Sequence, residues 1–261
     1  LRMYSISKKV TSESMQSLRL VVAGAEKLRT EVREGFEAKF KIPVYEGYGT
    51  TETSPGASVN LPDIKAPYKL RNRPGTVGKA FSGTEFRIVD PDSLESIPTG
   101  EDGLILIGGP QIMKGYLKMP EKTAEVIEVI DGYRWYRTGD KGHLDKDGFL
   151  TIVDRYSRFA KIGGEMISLT IVEEEILDAC NDNELEIAAT CLPDQRKGEK
   201  IILLATNNLD KNKLKKLLSV ANVNPLYHPA QVILVEEIPK LGSGKTDFGV
   251  TKKIALVNEQ K

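Results

Sequence analysis

Residues 18–53 read LRLVVAGAEKLRTEVREGFEAKFKIPVYEGYGTTET. The run LRLVVAG (18–24) is short, apolar and closed by glycine, which predicts a buried strand. Leu28, Val32, Phe36 and Phe40 then recur every four residues and share one helix face. Residues 42–48 predict a second strand, ending at a glycine-bounded turn. Strand, helix and strand in this order predict an α/β unit with a parallel pair. Ligands of open α/β sheets sit beyond the carboxyl ends of the strands, and GYGTTET (47–53) falls there. Tyr48 offers a ring, Thr50 and Thr51 hydroxyls, and Glu52 a carboxylate. Such a set can stack a base, bind phosphate and hold a magnesium ion. It also reads as a polar turn whose threonines cap a helix.

The pattern changes downstream. Between Gly75 and Leu150 short β-rich runs such as FRIVD (86–90) and LILIG (104–108) alternate with Gly, Pro and Asp. They predict a small, mostly antiparallel β subdomain, interrupted by a helix over 121–130 after Pro120. From about Arg155 a third region opens, with a helix marked by Val172, Ile176 and Ala179. Strands follow at EIAATCL (186–192) and KIILLAT (200–206), then a helix through Leu214, Leu217 and Leu218. A strand over 232–235 and a helix near 252–257 close the chain. This last α+β region has the size of an independent domain. The expected organisation is therefore two domains, 1–154 and 155–261, with a hinge near 154–158.

Bulk composition narrows the function classes. The chain has 261 residues with 37 basic and 37 acidic side chains, so its formal net charge is zero. No field of one sign points to nucleic acid or to an acidic membrane surface. Cys180 and Cys191 stand in apolar runs without metal-type spacing and read as buried thiols. With two histidines, a zinc site is not expected. The apolar runs are strand-length, which predicts no transmembrane helix or signal peptide and fits a cytoplasmic protein. The chain begins at Leu1 rather than at an initiator Met, and we expect a piece of something longer.

Three further segments carry chemistry. YRTGD (136–140) sets Asp140 after a tight glycine turn, where a carboxylate can accept two hydrogen bonds from a ribose diol or simply shape the turn. DRYSRFAKIGGEMIS (154–168) gathers Arg155, Arg158 and Lys161 around Gly163 and Gly164, a pair that permits close backbone approach to a ligand or another chain. PKLGSGKTDF (239–248) suggests a phosphate-binding P-loop. That pattern needs glycine five residues before Gly244, where Pro239 stands, so a Walker loop is rejected. What remains is a glycine loop presenting Lys245, a mobile cation able to neutralise charge on a transferring phosphoryl centre. His143 reads as structural.

Taken in order, VVAGAEKL (21–28), YGTTE, GTVGKAFSG (75–83), GEDGLILIGGPQIMKGY (100–116), YRTGD, the 154–175 segment and GSGK resemble the adenylate-forming superfamily. That superfamily holds acyl-CoA synthetases, luciferases and nonribosomal peptide adenylation domains. LGSGKTDF is similar to the synthetase portion of bacterial acyl-[acyl-carrier-protein] synthetases, which in some bacteria follows a 2-acylglycerophosphoethanolamine acyltransferase.

The resemblance implies part of a large adenylation domain, an α/β unit and a small β subdomain, followed by a mobile α+β lid. It implies an ATP- and Mg²⁺-dependent ligase that joins a fatty or other carboxylic acid to the thiol of an acyl carrier protein or coenzyme A. Gly24, Ala25 and Gly49 would line the nucleotide pocket and Tyr48 would stack on adenine. Thr51 would contact the α-phosphate, Glu52 the magnesium, and Asp140 with Arg155 the ribose. Lys245 would serve adenylation, and Lys161, Gly163 and Gly164 the thiol step after the lid swings. Two departures stand out: Ser157 occupies a hinge position that usually carries Asp or Lys, and no Ser/Thr/Gly-rich loop for the β- and γ-phosphates is present. That loop normally lies upstream, as would any membrane-associating segment. From another class, a non-catalytic module that docks a carrier protein would need none of Glu52, Asp140 and Lys245.

Overall fold

A computed structural model describes residues 1–65, 68–182, 184–206, 209, 211–242 and 244–259. The chain divides into two compact units, Leu1–Val153 and Asp154–Lys261. The fold is mixed α/β.

In the first unit a short helix, α1 (Arg2–Ile6), precedes strand β1 (Val21–Ala23), helix α2 (Thr30–Phe40) and strand β2 (Val44–Tyr48). β1 and β2 are parallel, with Val21 opposite Val44 and Ala23 opposite Glu46. α2 buries Phe36 and Phe40, whose ring centroids are 4.7 Å apart, against Val44. The helix stops at Lys41, which takes the left-handed conformation (φ 58°), two residues before Pro43. The strand expected over 18–24 is shorter than its apolar run. β1 lies at the edge of its sheet, and Val22 is 48% exposed rather than buried. The sheet continues through β3 (Ser58–Val59) to β6 (Lys79–Ala80), both antiparallel, while β4 (Ile64–Lys65) and β5 (Tyr68–Lys69) form a separate ladder.

The antiparallel subdomain is built around β8 (Gly103–Gly108), buried along its whole length between β7 (Glu85–Val89) and β10 (Tyr133–Leu144). Ile105 and Ile107 join Phe86, Ile88, Tyr136 and Leu150 in one core. β11 (Leu150–Arg155) completes the sheet order β11-β10-β8-β7, and the boundary between the units falls within it.

The helix expected over 121–130 is corrected by the structure. α3 covers Pro120–Ala124, and β9 (Ile127–Ile130) follows as a strand paired to β10. Ile127, Val129 and Ile130 are β-branched, and β-branching favours a pleated ladder over a helix. Asp131 and Gly132, at φ 52° and 78°, form the two-residue hairpin connection that leads into β10.

The second unit opens with a hairpin, β12 (Phe159–Ile162) and β13 (Glu165–Ser168). Helix α4 (Leu169–Cys180) is capped by the Ser168 hydroxyl, which accepts the Ile171 N–H at 3.3 Å. Strands β14 (Ile187–Asp194) and β15 (Gly198–Ala205) pair antiparallel, and β16 (Gln231–Leu234) pairs parallel to β15. Alternate residues face opposite ways. Ala189, Ile201 and Leu203 pack with Val172 and Ile176 of α4 and with Leu214 and Leu218 of α5 (Lys211–Val220). Ala188, Leu192, Ile202 and Leu204 pack with Ala255 of α6 (Phe248–Glu259). A strand covered by helices on both faces has no polar side, which is why β15 reads IILLA without alternation. Cys191 is buried as expected, and its thiol is pushed up to about 11 by burial and by Glu199 beside it. Cys180 differs from expectation, being half-exposed at the end of α4.

Candidate functional site

The ends of β1 and β2 come together through glycine. A Cβ on Gly24 would lie 3.0 Å from the Gly47 carbonyl oxygen, so the strand ends approach more closely than side chains allow. Ala25 follows at φ 77°, a conformation that costs an L-residue about 1–2 kcal/mol. Strained residues of this sort concentrate at ligand clamps and active sites.

Gly49 turns β2 into a short 3₁₀ helix, Thr51–Thr53. A Cβ on Gly49 would meet the Pro55 carbonyl oxygen at 2.0 Å and the Gly56 Cα at 2.8 Å. The loop is latched by the Thr50 N–H, which donates to Thr53 Oγ1 at 3.0 Å, while Thr53 Oγ1 donates to the Thr50 carbonyl at 2.9 Å. The helix-cap and ligand-loop readings of GYGTTET are thus compatible, since the cap holds Thr51 and Glu52 in place. Gly49→Ala must displace the Pro55 backbone, and should cost about 1–3 kcal/mol of stability by overpacking. Urea unfolding of the variant checks this, and an unchanged midpoint would show that the loop can yield.

Asp140 lies across from this loop, inside β10. The ladder between β10 and β8 shifts register between Arg137 and Lys141, with Gly139 at φ 74°. The glycine expected to make a tight turn instead makes a bulge in a continuous twelve-residue strand. Bulges re-aim side chains, and this one carries Asp140 into the interior, where it is 3% exposed. Its N–H donates to Thr138 Oγ1 at 3.0 Å, and its Oδ2 accepts the Tyr48 hydroxyl. Burial, and then the Asp140 charge, push the Tyr48 phenol well above its usual range, so it stays a donor.

Glu52 has a partner that the sequence did not reveal. Tyr116 donates its hydroxyl to Glu52 Oε1 at 2.7 Å, and the Met113 N–H donates to the Glu52 carbonyl at 2.9 Å. Burial pushes the Glu52 carboxyl upward, but hydrogen bonds from Tyr116, its own backbone N–H, Thr50 and Tyr136 together hold it below its usual range. The group is an anion at neutral pH. Among the described residues no three His, Cys, Asp or Glu side chains cluster to form a metal cage. One ionised carboxylate matches magnesium, which keeps its waters and takes one or two carboxylates together with substrate phosphates. Glu52 fits that ion.

Arg155, Lys161, Gly163, Gly164 and Lys245 belong to the second unit. Gly163 (φ 61°) and Gly164 (φ 94°) are the two central residues of the β12–β13 turn, where positive φ is required. A Cβ on either glycine would meet no other atom of the described residues within 4 Å, so inside this unit the turn conformation alone calls for glycine. Lys161 projects from β12 with an exposed side chain, and its N–H donates to Glu199 Oε2 at 2.6 Å. The side chain of Arg155 is exposed too. Lys245 sits in a loop closed by a Lys240–Thr246 bridge, and its carbonyl accepts the Leu241 N–H at 2.7 Å. Ser243 of the GSGK motif lies outside the described residues.

His143 pairs with Asp102, whose Oδ1 is 2.7 Å from Nδ1. His143 lies on β10 and Asp102 just before β8, both side chains part-exposed, with Lys141 3.7 Å from the same carboxylate.

The family model described as AMP-binding enzyme matches residues 2–117. 4-Coumarate–CoA ligase 3 of Oryza sativa subsp. japonica is 34% identical over 251 residues, covering 92% of this chain and 43% of its own length. The ATP-bound MatB structure from Rhodopseudomonas palustris superposes with a TM-score of 0.80 at 27% identity, over 96% of this chain and 48% of that one. Amide bond synthetase McbA from Marinactinospora thermotolerans gives a TM-score of 0.76 at 25% identity, over 97% and 50%. The chain is thus similar to AMP-binding enzymes over residues 2–117 and to about half of each of these longer proteins. The chain spans less than half the length of the curated relatives it matches.

Proposed function

We propose that this chain is the carboxyl-terminal half of a ligase that activates a carboxylic acid with ATP and passes the acyl group to a thiol. The observation that carries this reading is the constellation beyond β2. An ionised Glu52 held by Tyr116, a Tyr48–Asp140 pair and a strained Ala25 stand at the carboxyl end of a parallel pair, within the adenylate-forming fold. In this reading Gly24, Ala25 and Gly49 line the nucleotide site, Tyr48 stacks on the base and Thr51 meets the α-phosphate. Asp140, with Arg155, binds the ribose. Glu52 would hold Mg²⁺, which when bound supplies charge neutralisation between phosphate and carboxylate. Lys245 adds a second positive charge in adenylation, and Lys161 with the 163–164 turn serves the thiol step. Residues 155–261 then form the lid of the two half-reactions, since different reactants favour one mobile element serving both.

The acid and the thiol are the finer part of the reading. The names of the relatives, CoA ligases acting on carboxylic acids, support coenzyme A. The likeness of LGSGKTDF supports a carrier protein and a fatty acid, and with it a place in phospholipid metabolism at the cytoplasmic face of the membrane. Acid-dependent ATP–pyrophosphate exchange by the complete polypeptide, over aromatic, short and long aliphatic acids, tests the activity. Competition between coenzyme A and a carrier protein then assigns the acceptor. Asp140→Asn should raise the KM for ATP by about tenfold, the cost of about one hydrogen bond to a charged group. An unchanged KM would remove Asp140 from the nucleotide site. Carrier-protein binding without any exchange would favour a docking module.

A further inference from the structure

Arg158 closes the 3₁₀ turn Tyr156–Arg158 and is 6% exposed, although arginine is almost never so buried unless paired. Its Nη2 donates to Glu173 Oε2 at 2.8 Å, and its Nε lies 3.8 Å from Asp154 Oδ1. Nε and Nη1 make no hydrogen bond among the described residues. Those groups have lost water for a different contact, since the guanidinium carbon stands 3.8 Å from the centroid of the Phe248 ring. A cation over an aromatic face is attracted by the ring quadrupole, more strongly where water is excluded.

Phe248 is the first residue of α6 and the third after Lys245. The intervening loop is stiff at its base. Lys240 bridges Thr246, the Asp247 N–H donates to the Pro239 carbonyl at 2.8 Å, and Asp247 Oδ1 accepts the Val250 N–H at 2.9 Å. Arg158 is fixed in turn from the sheet side. Glu173 Oε1 accepts the Ala189 N–H of β14 at 2.6 Å, and Asp154 Oδ2 accepts the Ser168 hydroxyl and the Thr170 N–H. A continuous path therefore runs from the core sheet through Glu173, Arg158 and Phe248 to the Lys245 loop. Tight packing alone would be met by an aliphatic residue at 158, without burying two nitrogens that make no hydrogen bond.

We propose that Arg158 is a positioning residue that fixes the Lys245 loop through its contact with Phe248. The proposal rests, for its consequence in catalysis, on Lys245 serving adenylation.

Two variants test it. Arg158→Met keeps the apolar stem but strands Glu173, and it can fail to fold. Phe248→Leu leaves every ion pair intact. In the 261-residue chain Phe248→Leu should speed amide exchange at Leu241, Gly244 and Asp247 by about fivefold, the size of a cation–π contact whose aromatic residue is 39% exposed. Ala189 and Leu203 should keep their protection. Arg158→Lys should restore part of the loop protection that Arg158→Met loses, and the double variant should be no looser than Arg158→Met. In the complete polypeptide adenylation should fall about tenfold while thiol transfer from preformed acyl-adenylate holds. Unchanged loop exchange in Phe248→Leu, or loosening spread across the whole unit, overturns the proposal. A loosened loop with normal adenylation upholds the link from Arg158 to the loop and removes Lys245 from the adenylation step.

Discussion

Lys245→Ala should lower the adenylation rate of the complete polypeptide about 10²–10³-fold, the cost of removing one preorganised electrostatic contact. Attack of a carboxylate on the α-phosphate brings two anions together, and a cation that screens them acts mainly where their charges merge. Lys245 is suited to that because its loop is held by backbone contacts that do not involve its ammonium group. The Lys245 carbonyl accepts the Leu241 N–H, Gly244 N–H donates to the Leu241 carbonyl at 2.8 Å, and Lys240 bridges Thr246. Cutting the side chain to a methyl leaves this frame intact, so the variant should unfold at the wild-type urea concentration. Thiol transfer from preformed acyl-adenylate should persist, because the phosphoryl charge has by then been redistributed. Measuring the two half-reactions separately is the check. Equal loss in both would show that Lys245 does something other than screen the adenylation step.

Elements with a strong local period were legible in the sequence, and contacts between distant elements were not. The α2 face was written in Phe36 and Phe40, and the parallel β1–β2 pair in the order strand, helix, strand. The segment 121–130 misled because Pro120 and Glu121 announce a helix while Ile127, Val129 and Ile130 prefer a strand. The Asp131–Gly132 dipeptide was the available signal that a hairpin decides between them. Gly163 and Gly164 carry the same hairpin signal between β12 and β13. Tyr48 and Asp140 were each picked out by motif, but their mutual hydrogen bond spans 92 positions and no periodicity encodes it. Tyr116 and Arg158 stood inside quoted motifs without a role, because the role lies in Glu52 and Phe248 respectively. A single sequence shows which face a residue occupies and leaves its partner unspecified.

The Glu173 carboxylate is where such a hidden partnership should be felt most in stability. Glu173→Ala should cost about 3–5 kcal/mol, the usual result of breaking a buried ion pair from one side. Its Oε2 accepts Arg158 Nη2 at 2.8 Å and its Oε1 accepts the Ala189 N–H at 2.6 Å. Removing both acceptors leaves a buried guanidinium with Asp154 at 3.8 Å and an N–H of β14 without an acceptor. The loss should depend on pH in a defined sense. Burial pushes the Glu173 carboxyl above its ordinary 4.5, Arg158 and the Ala189 N–H oppose the rise, and Asp154 adds to it. The folded state therefore binds its proton more readily than the unfolded state does. Over the window from the ordinary value up to the raised one, the stability contributed by this group falls as pH rises. The gap between wild type and Glu173→Ala should be widest below that window and narrow above it. Urea unfolding of the pair across the acid range measures this. A cost under 1 kcal/mol at every pH would mean that Arg158 finds another acceptor once Glu173 is gone, and that the path from the sheet to the Lys245 loop does not run through this pair.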